Sequence, residues 1–72
     1  MTPDTFKAII AEIEREFTDA YFLRIILRSG QRVIGAWSRI DGTDEAICVT
    51  TRHNRNVMVP LASIIVLAGM EP

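Results

Sequence analysis

The chain has one cysteine, one histidine, one lysine and no long apolar run. With Cys48 alone, no intramolecular disulfide can form, which fits a reducing, intracellular setting. Cys48 and His53 are the only sulfur and imidazole ligands, too few for a structural zinc site. No stretch of about 18 apolar residues occurs, so no membrane-spanning helix is expected. The opening TPDTFKAIIAEIERE lacks the basic start and apolar core of a secretory signal, and the cytoplasm is the expected compartment. No catalytic motif is present. Cys48 and His53 fall on opposite sides of a turn signal with no third group to orient them, so they lack the logic of a nucleophile and its base. The chain therefore reads as non-enzymatic, with no cofactor and no small-molecule substrate.

What is present fits one small domain covering residues 1–72, with no repeat, linker or low-complexity segment to divide it. A domain this short buries only about 60% of the surface its unfolded chain exposes, and oligomerisation is a common remedy. Charge is unevenly placed. Residues 1–20 carry Asp4, Glu12, Glu14, Glu16 and Asp19 against Lys7 and Arg15, a net −3. Residues 21–72 carry six arginines against Asp41, Asp44, Glu45 and Glu71, a net +2. Arginine's planar fork suits phosphate and base stacking. The same charges would also serve as a solvated barrel surface.

Residues 3–17 read as an amphipathic helix. Thr2 suits the N-cap, Pro3 the first helical position, and Asp4 the positive end of the dipole. Phe6, Ile9, Ile10, Ile13 and Phe17 form one apolar stripe at spacings of three and four. The opposite face is largely acidic, which disfavours a membrane-surface helix.

Residues 21–69 read as strands. FLRIILR alternates, with Leu23, Ile25 and Leu27 on one face and Arg24, Ile26 and Arg28 on the other. Ser29-Gly30 signals a turn, and QRVIGAWSRI continues with Val33, Gly35 and Trp37 on one face. Asp41-Gly42, extended by Thr43 and Asp44, signals a second loop before the strand EAICVTT. RHNRN is a tight connection to NVMVPL, and SIIVLAG closes the set. One helix followed by five short strands predicts a mainly β fold: a small, strongly bent antiparallel barrel. Gly35 is the expected bend in a long second strand, where a side chain would clash.

NVMVP and SIIVL lack polar alternation. Strands apolar on both faces want cover on both, and here the expected cover is another copy of the chain. Val57, Met58, Val59, Ile64, Ile65, Val66 and Leu67 are the candidate interface residues. If edge-to-edge pairing is head-to-tail and closes, it makes a ring.

A helix, then L-x-x-G-x-x-x-x-G-x-x-x-x-x-D, then V-x-x-x-S-I-x-x-L resembles the Sm/Lsm family, nearest in outline to its bacterial Hfq branch. The first pattern is carried by Leu23, Ile25, Leu27, Gly30, Val33, Gly35, Trp37, Ile40 and Asp41. The second is carried by Val57, Val59, Ile64 and Leu67. The resemblance implies an Sm-like fold in which strand four of one subunit pairs with strand five of the next. It implies closed homo-oligomeric rings of five to seven subunits that bind single-stranded RNA. It places Gln31 and Arg32 at a basic position of the family's first hairpin, and Asp41, Thr43, Asp44 and Glu45 in the loop that contacts a base. The departures concern the uridine pocket. Glu45, or Asp44 if the loop has slipped, stands where the family has asparagine. Pro60 and Leu61 stand where it has arginine-glycine or lysine-histidine, and Ile26 where the Hfq branch has tyrosine. A carboxylate cannot reproduce an amide's donor group.

Single residues admit two readings each. Trp37 could stack a base, but its register with Val33 and Gly35 favours the core. Cys48, in an apolar strand, reads as a small buried thiol, and His53 as a solvent-facing loop residue. Asp41, Asp44 and Glu45 could hold a divalent cation in a ring or simply be a solvated loop. Arg52 and Arg55 flank a tight turn and either meet phosphates or solubilise a strand end. The leading expectation is an Sm-like ring binding single-stranded RNA in RNA metabolism or post-transcriptional regulation. The alternative is a ring-forming structural or protein-interaction module without the uridine pocket.

Overall fold

Thr2 starts the chain's only α-helix as the sequence suggests: its hydroxyl accepts the Thr5 N–H at 3.2 Å. The computed structural model describes all residues, Met1–Pro72. Helix α1 spans Pro3–Glu16 and ends where the Phe17 N–H reaches the Ile13 carbonyl at 2.9 Å. Phe6, Ile10 and Ile13 are its buried face. The exposed Glu12–Arg15 pair at 2.8 Å contributes little in water.

Five strands follow: β1 (Phe22–Leu27), β2 (Arg32–Ile40), β3 (Thr43–Thr51), β4 (Asn56–Pro60) and β5 (Ile64–Met70). All pair antiparallel in the order β4-β3-β2-β1-β5. The fold is mainly β with an N-terminal helix. The sheet wraps one core but does not close, because β4 and β5 are both edges. A short 3-10 turn at Leu61–Ser63 joins them, a feature without a sequence signal. It is tied down from two directions: the Arg28 guanidinium donates to the Ala62 carbonyl at 3.0 Å and the Met1 ammonium to the Leu61 carbonyl at 2.8 Å.

The bend lies where expected. Gly35 pairs with Leu23 of β1 and also with Thr51 of β3, so it belongs to both halves of the folded-over sheet. A Cβ there would run into the Thr50 carbonyl and sit 3.0 Å from Thr51 Cα. Gly69 plays the matching part on β5, since a Cβ there would press on the Ile13 and Phe17 side chains of the helix.

The core contains Leu23, Ile25, Val33, Ile47, Val49, Val59, Leu61 and Ile64 beneath the three helix residues. It contains no buried polar side chain. The inward sets of β1 and β2 are those the alternation predicts. Trp37 is half-buried and packs on the core margin, its ring edge-on to Phe6 at 5.2 Å and 89°. Its Nε1–H donates to Tyr21 Oη at 3.1 Å, and Tyr21 donates in turn to Glu14 at 3.1 Å. This chain of bonds holds the helix to β2.

Burial pushes the Tyr21 phenol above its ordinary value of 10.0; the bond from Trp37 pulls the other way, and the Glu14 carboxylate adds to the rise. The folded state therefore holds the phenolic proton more tightly than the unfolded chain does. The resulting stability is complete below the unfolded pKa, and it is lost as pH rises through the folded one. Tyr21 is the only tyrosine, so phenolate absorbance reports it alone. Its ionisation midpoint is expected above 10.0 in the folded protein. Tyr21→Phe is expected to abolish that transition and cost about 1 kcal/mol in denaturant unfolding.

Several expectations are corrected. Strand β3 starts at Thr43, not Glu45, and the second hairpin turns on Asp41 and Gly42 alone. Thr43 pairs with Ile40, so Thr43, Asp44 and Glu45 are strand residues and not a loop. The cause is hairpin geometry: Gly42 takes φ +87, which lets two residues reverse the chain. Val59 and Ile64 are 0% and 4% exposed, so their side chains pack in the chain's own core and only their backbone lies on an edge strand. Cys48 is half-buried, not buried, because it lies on the outer side of β3 between Ser38 and Met58.

Candidate nucleic-acid interface

Bending β2 at Gly35 brings the start of that strand against the β3–β4 turn. Thr51 caps this turn: its carbonyl accepts the Asn54 N–H at 3.0 Å, and its N–H donates to the Arg55 carbonyl at 2.9 Å. Asn54 takes the left-handed φ of 58, which asparagine tolerates well. The Thr50 hydroxyl adds a bond to Asn56 at 2.9 Å. A tight, hydrogen-bonded turn thus projects Arg52, His53 and Arg55 from a fixed base.

The result is an open groove of about 940 Å³. Gln31 and Arg32 form one side and Arg52, His53 and Arg55 the other; Ile34, Val57 and Met70 contribute apolar surface. No acidic residue lines it. The chain's one ion pair is Glu12–Arg15 on the helix, so all three groove arginines are free of carboxylate partners. Arg52 has a different neighbour: its guanidinium carbon lies over the Phe22 ring, 5.9 Å from the centroid. A row of unpaired guanidinium groups beside apolar surface can hold phosphates at its rim and bases against its walls.

The structure therefore divides the eight RNA-binding candidates. Gln31, Arg32, Arg52 and Arg55 come together in this groove. Asp41, Thr43 and Asp44 line a separate concavity of about 680 Å³ beneath the helix, with Lys7 and Arg39 at its edge and Phe6, Ile10 and Trp37 within. Glu45 lines neither, and its N–H is held by the Thr43 hydroxyl at 3.1 Å. Asp44 and Glu45 are both exposed and lie where the β2–β3 register shifts, in a bulge with no partner on β2. Within one chain no three acidic, histidine or cysteine groups converge as a metal-holding cluster.

Four groove members, Ile34, Thr51, His53 and Met70, had no functional signal in the sequence. His53 is solvent-exposed, as its turn position suggests, but also lines the groove. Met70 arrives because β5 extends to the very start of β1, where Met70 pairs with Phe22. Of the interface candidates, Met58, Ile65 and Val66 are exposed at 68%, 58% and 38%, all three on edge strands. Val57 and Leu67 are half-buried and pack against the core.

Against known proteins, no family model, no curated protein and no solved structure matches the chain.

Proposed function

We infer that this chain is a non-enzymatic, Sm-like ring-forming protein that binds single-stranded RNA, as expected in RNA metabolism or post-transcriptional regulation. The observation that carries the reading is the groove. Three arginines from two distant segments share one acid-free concavity, none of them paired with a carboxylate. In a chain of net charge −1, that is a local concentration of cations suited to a polyanion. The family's usual pocket contributes nothing here. Leu61 is 1% exposed, and Pro60 has no side-chain donor. Binding then rests on phosphates and stacking, with weak sequence preference. Anisotropy titrations with U-rich and A-rich oligomers across a salt series test the reading. Binding of both at low salt, weakening steeply as salt rises, is expected; no binding of either would refute it.

The two free edges support the assembly. Strand β4 offers Met58 and β5 offers Ile65 and Val66 beside unpaired backbone groups. An exposed apolar edge is a template for pairing. Light scattering at micromolar concentration is expected to give a mass several times that of the 8.1 kDa chain. Met58→Lys with Ile65→Lys, charges placed on the two edges, is expected to return the mass to one chain. A single-chain mass for the unaltered protein would refute the ring.

The same exposed edges, with Pro60, Leu61 and Glu45 standing where the family has its pocket residues, support a second reading: a ring-forming structural or protein-interaction module. A protein partner retained after nuclease treatment would favour it over the first.

A further inference from the structure

Arg52 differs from the other groove arginines in having an aromatic neighbour. Its guanidinium lies over the Phe22 ring, close enough for cation–π attraction. Phe22 is half-buried at the start of β1, and its cross-strand partner Met70 is part of the groove. Arg52 thus combines a place in the groove wall with an aromatic neighbour on one side of its guanidinium. Arg32 and Arg55 have no ring beneath them and no carboxylate beside them.

We propose that Arg52, backed by Phe22, is a base-stacking platform, and that Arg32 and Arg55 are the phosphate contacts of the same groove. This rests on the single-stranded nucleic-acid reading above and assigns roles within it. A flat guanidinium stacks on a base as lysine's compact ammonium does not. Interior bases of a duplex already have both faces covered by their neighbours, so a base within a strand must be unstacked to reach the platform, and the groove favours single strands over duplex. Stacking is tolerant of sequence because every base has a π-face.

The roles separate by their salt dependence. For single strands each phosphate contact contributes a slope of about −0.7 to the plot of log affinity against log salt. Arg32→Ala and Arg55→Ala are each expected to flatten the slope by about that amount. Arg52→Lys keeps the charge and loses the plane; it is expected to weaken binding of a labelled single-stranded oligomer about tenfold with the slope unchanged. Phe22→Leu keeps apolar bulk and loses the ring, and is expected to do the same to a lesser degree. A folded Arg52→Lys protein that binds as tightly as the unaltered chain would overturn the platform but leave the groove reading intact. An Arg52→Ala variant that flattens the slope as much as Arg32→Ala would also overturn it. Failure of the unaltered protein to bind any single strand would overturn both. If Phe22→Leu does not fold, judged by circular dichroism, the Arg52→Lys arm still decides.

Discussion

Gly35→Ala is expected to destabilise the fold by about 3 kcal/mol or more, at the upper end of what overpacking costs. The added methyl would meet the Thr50 carbonyl and the Thr51 Cα, which are backbone and cannot rotate away. Relief requires moving β2 from β3 at the residue where β2 also pairs with β1. A chain of this size has a total stability of roughly 4–11 kcal/mol, so the loss is a large share of it. Thermal unfolding followed by circular dichroism should show Tm lowered by about 12 °C or more. Gly30→Ala is the comparison. Gly30 has φ +88 but open space around its Cα. Its replacement carries only the left-handed strain of about 1–2 kcal/mol. If the two variants melt together, the close approach at Gly35 is not what shapes the sheet.

The second large effect falls on binding. Arg32→Glu with Arg55→Glu is expected to reduce affinity for a single-stranded oligomer by about a hundredfold or more, because repelling charges face the phosphates. Both side chains are exposed and unpaired, so the fold should be unchanged. The loss should be greatest at about 50 mM salt and smaller at about 200 mM, where screening weakens both attraction and repulsion. An equal loss at both concentrations would indicate a damaged structure and not a removed contact. Asp44→Asn with Glu45→Gln, on the β2–β3 hairpin, is expected to leave binding within about twofold, since neither residue lines the groove.

Much of this fold can be read from the sequence because local rules and global shape agree. Thr2, Pro3 and the Phe6-Ile10-Ile13 stripe define a helix without help from the rest of the chain. Alternation in β1 and early β2 places Leu23, Ile25 and Val33 inward, and they are inward. Where alternation disappears, so does the reading. In NVMVP and SIIVL every candidate is apolar, and only the structure separates buried Val59 and Ile64 from exposed Met58 and Ile65. Strand β3 begins early because Thr43, Asp44 and Glu45 form an exposed hairpin arm. Only Thr43 pairs there, with Ile40; the register shifts between Arg39 and Ile40, so Asp44 and Glu45 bulge out of the ladder, and polar residues in such a bulge carry no strand signature.

The groove is the harder case. Arg32 and Arg55 are 23 positions apart and Phe22 and Arg52 are 30 apart. Nothing local in either segment announces the other. What joins them is the bend at Gly35 and the turn at Asn54, two backbone features whose spatial result is long-range. Resemblance to the Sm/Lsm pattern pointed to Gln31 and Arg32 together with the 41–45 loop. The structure keeps the first pair in the groove, sends Asp41 and Asp44 to the other concavity, and leaves Glu45 in neither.

Ultraviolet crosslinking of the protein to a single-stranded RNA oligomer, followed by proteolysis and mass spectrometry, tests the central claim most directly. Crosslinks are expected within residues 31–34 and 51–57, where the groove residues and Arg52 lie. Crosslinks confined to residues 39–45 or to Pro60 and Leu61 would contradict the account.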